Sequence, residues 1–192
     1  MGAMLGALLC LTFTATWATG ARCAPSFPDT FTVEHGRIRL EEGVYYADAR
    51  VDIDLSARSR EALRNGVPLT FDIEFKVYRK RRWLWDETVA SLEARYSVKL
   101  HQLSGQYVMR NVNLGLSQSY PTLESLRDAL SHIEHFPLID ARLLDRGAPY
   151  WWGIRARLDI ESLPAPLRPL AYLQSMFALR GHQGWRSWPL SR

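Results

Sequence analysis

The sequence predicts a mainly β fold, an antiparallel two-sheet sandwich of immunoglobulin-like type with about 7–9 strands and two short helices. Three observations carry this. Apolar and polar residues alternate strictly in four long runs, two shorter stretches carry helical spacing and stop signals, and the composition is that of one globular domain: 192 residues, 47% hydrophobic, 23% charged. A chain of this size buries roughly 70% of its extended surface on folding, so it needs neither disulfides nor metal to hold together. The same figures exclude a disordered chain, a collagen-like repeat and a multi-span membrane protein.

Residues 1–21 contain no charged side chain. The apolar stretch from Met4 to Phe13 is shorter than the ~20 residues a membrane span needs, and small residues follow at Ala18-Thr19-Gly20-Ala21, where a signal peptidase could cut. The expectation is a signal peptide over residues 1–23, export to the periplasm, and a single domain over 24–192 with a Pro-rich tail from about Leu163. Cys10 and Cys23 both fall in the leader, so no intrachain disulfide is expected.

Strands come next. Tyr45, Ala47, Ala49, Val51, Ile53 and Leu55 are apolar at every odd position, with Asp48, Arg50, Asp52 and Asp54 between them. Leu69–Val77, Leu92–Leu100 and Trp152–Ile160 repeat the pattern. Each run has one face for the core and one for water, which is how antiparallel sheets are written. Arg37–Leu40, Gln106–Val112 and Leu138–Leu144 are shorter candidates, and one-sided strands in this number need a second sheet to cover them.

Ser59–Arg64 is a short helix candidate closed by Asn65-Gly66 with Pro68 beyond. Thr122–Glu134 is a second, with Thr122 as N-cap and Leu123, Leu126, Leu130 and Ile133 on one face. The tail holds three prolines between Leu163 and Pro169, a helix candidate at Leu170–Leu179, and then Trp185 and Trp188, which either strap the tail to the sandwich or form an exposed aromatic site.

No reactive constellation stands out. The chain has no G-x-S-x-G and no S-x-x-K motif, and its glycines are scattered singly rather than gathered in a phosphate loop. His132 and His135 would share a helix face as an i, i+3 pair but lack a further ligand. Asp52 and Asp54 lie about 7 Å apart on the polar face of a strand, where solvated charge is the ordinary state. No catalytic residue, metal ligand or cofactor is therefore assigned, and the expectation is a protein that is not an enzyme. A net charge of +4 is too mild to require nucleic acid.

One cluster does stand out. Lys76-Val77-Tyr78-Arg79-Lys80-Arg81-Arg82 carries five cations in seven residues and runs into Trp83-Leu84-Trp85-Asp86-Glu87. Lying between two strongly patterned strands, it belongs at a hairpin end. A charged tip protects a sheet edge from aggregation, whereas guanidinium forks beside flat indoles also make a contact surface. Arg79, Lys80, Arg81, Arg82, Trp83 and Trp85 are the candidate binding residues, for an envelope or inner-membrane protein or for an anionic lipid.

The order of features resembles a bacterial family, domain of unknown function 4390. The resemblance rests on the strand Val51-Asp52-Ile53-Asp54-Leu55, then Glu61-Ala62-Leu63-Arg64-Asn65-Gly66-Val67-Pro68-Leu69, the basic strand end Phe75–Arg82, Trp85-Asp86-Glu87 and the closing Leu163–Leu170. Phe177–Gly181 departs from the family's tail. The resemblance implies an envelope protein with no assigned activity and a place beside a membrane sensor kinase. The function expected is a periplasmic interaction or accessory module. The alternative is a binding module for a lipid or other amphiphile held between the sheets or under the second helix, with Met109, Met176 and Phe177 in its wall.

Overall fold

The computed structural model describes residues 29–81, 83, 85–159, 161–163, 168 and 184–190. The expected leader and the whole of the expected tail helix, with Met176 and Phe177, lie outside them.

Two antiparallel sheets are packed face to face. One holds β1 (Thr30–Glu41), β2 (Val44–Asp54) and β7 (His132–Asp140), in the order β1-β2-β7. The other holds β3 (Leu69–Arg79), β4 (Glu87–His101), β5 (Gln106–Asn111), β6 (Ser117–Tyr120), β8 (Tyr150–Leu158) and β9 (Arg186–Pro189), in the order β6-β5-β4-β3-β8-β9. Helices α1 (Ala57–Arg64) and α2 (Leu123–Ser131) connect them. Among the described residues no helix is long and apolar enough to cross a membrane.

The period-two pattern makes this architecture. On β2 the odd residues Tyr45 to Ile53 are buried and Asp52 and Asp54 face water. On β3 Leu69, Phe71, Ile73, Phe75 and Val77 are buried against them, and the Phe75 and Phe136 rings stack across the layers at 4.1 Å. Helix α1 is capped by the Ser56 hydroxyl and ends at Asn65, with Gly66 at φ 77°. Thr122 caps α2 through the amide of Ser125, whose side chain reaches back to the Thr122 amide.

The strand order is that of an immunoglobulin variable-type sandwich, A-B-E against C″-C′-C-F-G, with β6 added at one edge and α2 in place of strand D. Two details agree. Tyr150, at the start of the strand equivalent to F, accepts a hydrogen bond through its hydroxyl from the backbone N–H of Asp145 at 3.1 Å, which is the tyrosine corner of such folds. Two residues on, where antibody domains carry a disulfide cysteine, stands Trp152, 1% exposed and stacked on Trp188 at 4.8 Å. Here the position is held by an indole that stacks on the neighbouring strand β9 and reaches Gly36 of the facing sheet.

Three expectations are corrected. The second helix stops at Ser131 rather than Glu134, because from His132 onward the backbone hydrogen-bonds to β2 (Ala49 opposite Ile133, Arg50 opposite His132). Ile133 is buried in either conformation, so apolar spacing alone does not separate them. The strand expected over Leu138–Leu144 ends at Asp140, whose carboxylate caps a 3₁₀ turn at Ala141–Leu143 through the Arg142 amide. The outer side of β3 is not wet: Asp72 is 1% exposed, because β3 is central and Arg95 and Arg157 from its neighbours reach over it.

Candidate functional site

β3 and β4 form the expected hairpin, and its end carries Lys80, Arg81, Trp83 and Trp85; Arg82 lies outside the described residues. Arg79 and Arg81 turn back onto the domain. Arg79 donates to Glu87 at 2.6 Å and to Asp145 at 2.7 Å, and Arg81 donates to the same Glu87 oxygen. Hydrogen bonds from Arg81 and then Arg79 hold the Glu87 carboxyl below the usual carboxylate range. Lys80 lies over the Trp151 ring, its ammonium 3.8 Å from the centroid. Farther along the outer face, Lys76 and Arg155 share the Trp185 ring at 4.6 and 5.0 Å. Trp185 comes close here because residue 153 is glycine: a Cβ would meet its indole at 3.3 Å and the Arg186 carbonyl at 3.1 Å.

Trp83 and Trp85 behave differently. Each is 92% exposed, against the buried or half-buried Trp151, Trp152, Trp185 and Trp188. The structure therefore divides the expected cluster in two. Its described guanidiniums are committed to carboxylates within the domain, and its indoles are presented to solvent. Glu87 and Asp145, which neutralise the arginines, were not among the sequence candidates. Glu87 was legible at the strand start, but Asp145 arrives from the turn before β8 and leaves no local signal.

A second feature lies where β1 meets β8 and β9. Gly36, Ile38, Arg39, Asp48, Trp152 and Trp188 line much of an open cleft of about 810 Å³. Burial pushes the Asp48 carboxyl up, but the His135 amide at 2.9 Å and the Arg39 guanidinium at 2.8 Å outweigh it and leave it below its ordinary value. His135 stacks on Tyr46 at 3.9 Å and has φ 52°, because β7 bulges there opposite Asp48. His132 instead accompanies Asp128 and Arg50, so the two imidazoles have separate settings. Met109 belongs to the core.

A family profile with the description "Domain of unknown function (DUF4390)" matches residues 28–189, from just before β1 to the end of β9. The chain belongs to the DUF4390 family. No curated protein matches it, and no solved structure does. The match takes in both sheets, the hairpin end and the cleft, so every feature described above belongs to the DUF4390 domain.

Proposed function

We propose that this DUF4390 domain is a non-enzymatic interaction module of the bacterial periplasm, and that the β3–β4 hairpin end is its contact surface for an envelope or inner-membrane protein, such as a membrane sensor. One observation carries the proposal: Trp83 and Trp85 both lie at the hairpin end, each 92% exposed. Indoles in water contribute nothing to the fold, whereas buried in a contact they are among the side chains that dominate binding energy. The neighbouring Arg79 and Arg81 are already hydrogen-bonded to Glu87, which favours a protein surface over an anionic headgroup as the partner. Export is supported by the uncharged apolar start from Met4 to Phe13 and the small residues that follow.

The test is Trp83→Ser with Trp85→Ser in the full chain, expressed in its own cells. We expect unchanged thermal stability, the protein in the osmotic-shock fraction, and capture of its partner reduced about tenfold or more. Undiminished capture of every partner, or retention of the protein in the cytosol, overturns the reading. The cleft beside Trp188 favours a second reading, a binding module for an amphiphile, since its lining combines apolar Ile38 and Trp188 with the charged Arg39. Native mass spectrometry of protein from the periplasm decides it: a bound small-molecule mass supports a carrier, and a clean apo mass removes it.

A further inference from the structure

We infer that the partner binds as an added β-strand along the free edge of β4, between the hairpin tip and Asn113; this deepens the interaction reading above and rests on it. β5 pairs with β4 only from Tyr96 to His101, while β3 pairs with β4 from Val98 back to Glu87. On the β5 side, the first half of β4 has no strand beside it among the described residues.

The direction of its backbone groups follows from Asn113. The side-chain oxygen of Asn113 accepts the Arg95 N–H at 2.7 Å, and its side-chain nitrogen donates to the Glu93 carbonyl at 3.2 Å. One side-chain amide thus stands in for a peptide unit of the missing strand. The backbone period is two, and the register has no shift between Arg95 and Ser91, so the Glu93 N–H and both groups of Ser91 face the same open side. Ser91 and Glu93 are exposed.

The other edges carry protective devices. β1 bears Glu34, His35, Arg37, Arg39 and Glu41, β7 has bulges and Pro137, and β6 and β9 are four residues each. Thr88-Val89-Ala90-Ser91-Leu92 has neither a charge nor a proline; its one irregularity is a register shift at Val89, so the regular part of the open edge runs from Ala90 to Glu93. Trp83 and Trp85 lie before it and Leu114, 69% exposed, beyond Asn113, so exposed apolar side chains flank both ends of the open stretch.

These features specify the occupant. A row of outward peptide groups takes an extended strand. One face of that strand would lie beside Ala90 and Leu92, which pack half-buried on the core, and the other beside Ser91 and Glu93 in solvent. The fitting segment is extended, with apolar residues at alternate positions. A second copy of this chain fits poorly. Two β4 edges related by a two-fold axis through Ser91 would need the Glu93 carbonyl that Asn113 occupies, and an axis through Ala90 would run both copies into the register shift between Ala90 and Thr88.

The experiment uses the full chain and a synthetic peptide alternating Val and Thr between terminal lysines, with a proline-interrupted form as control. Binding is read by amide hydrogen exchange. We expect exchange at Ser91 and Glu93 to slow about tenfold or more with the alternating peptide only. Ser91→Pro should abolish the effect, since it removes an outward donor without touching the β3 ladder. Val89→Lys, which leaves the backbone intact, should weaken it should the proline variant fold poorly. Unchanged exchange at Ser91 and Glu93, equal binding of the interrupted peptide, or a dimer of the free protein that Ser91→Pro dissociates would overturn the inference. Loss of the cellular partner in the Trp83→Ser/Trp85→Ser protein with full retention in Ser91→Pro keeps the contact surface and overturns the strand. Undiminished protection of Ser91 in the double indole variant keeps the strand and removes the indoles.

Discussion

Gly36 and Trp152 fit together across the two sheets: a Cβ on residue 36 would lie 2.6 Å from the Cη2 of the Trp152 ring and 3.0 Å from that of Trp188. The indole is 1% exposed and stacked, so it has little room to yield. Gly36→Ala should therefore destabilise the domain by about 1–3 kcal/mol through overpacking, although alanine is otherwise a better strand residue than glycine. Urea unfolding with near-ultraviolet circular dichroism of the indole pair checks this. A midpoint equal to that of the parent would mean that the contact is loose.

Tyr150→Phe isolates the corner hydrogen bond. The ring stays packed, the Asp145 N–H loses its acceptor, and Asp145 itself is exposed enough for water to compensate in part. The expected cost is about 0.5–1.5 kcal/mol, read as a shift in urea midpoint at unchanged slope. Tyr150→Ala should cost several-fold more by opening a cavity.

The parts written by short-range alternation were legible. Ile53 and Phe75 declare their faces two residues at a time, and that alone specifies two sheets. What escaped depends on residues far apart in sequence. Ile133 satisfies helical and strand spacing equally, and only Ala49, across the sheet, decides for the strand. Ser117–Tyr120 is polar and becomes β6 because β5 offers it an edge. Arg186–Pro189 becomes β9 because Trp152 offers Trp188 a stacking face. At the hairpin end the run of cations and indoles is legible, but its division into tied arginines and exposed indoles depends on Glu87 and Asp145 in place.

Acid should weaken the fold in a defined window. Asp48 and Glu87 are held below the usual carboxylate range, and hydrogen bonds from the Arg142 side chain and amide push Asp140 down to about 2. A carboxylate depressed in the folded state contributes stability fully above its unfolded pKa, near 4, and loses it as pH falls through the folded value. Urea midpoints should thus be level from pH 7 to about 5 and fall from about pH 4 toward 2. Arg142→Gln should flatten the lowest part of that fall, and a midpoint level down to pH 2.5 would contradict the assignment.

Asn113→Ala tests whether one side chain ends the β4 edge. The Arg95 N–H and the Glu93 carbonyl would lose their partners, but both lie at an exposed edge where water can replace them. The stability cost should stay at about 0.5–1.5 kcal/mol. The local effect should be larger: exchange of the Arg95 amide should speed up while that of Val98, inside the ladder, stays slow. Asn113→Asp separates the two bonds, because a carboxylate still accepts from Arg95 but cannot donate to Glu93. It should keep Arg95 protected while releasing the Glu93 carbonyl. If Asn113→Ala leaves the Arg95 amide as slow as in the parent, the amide of Val112 and not Asn113 holds this end of the strand, through its 2.8 Å bond to the Arg95 carbonyl.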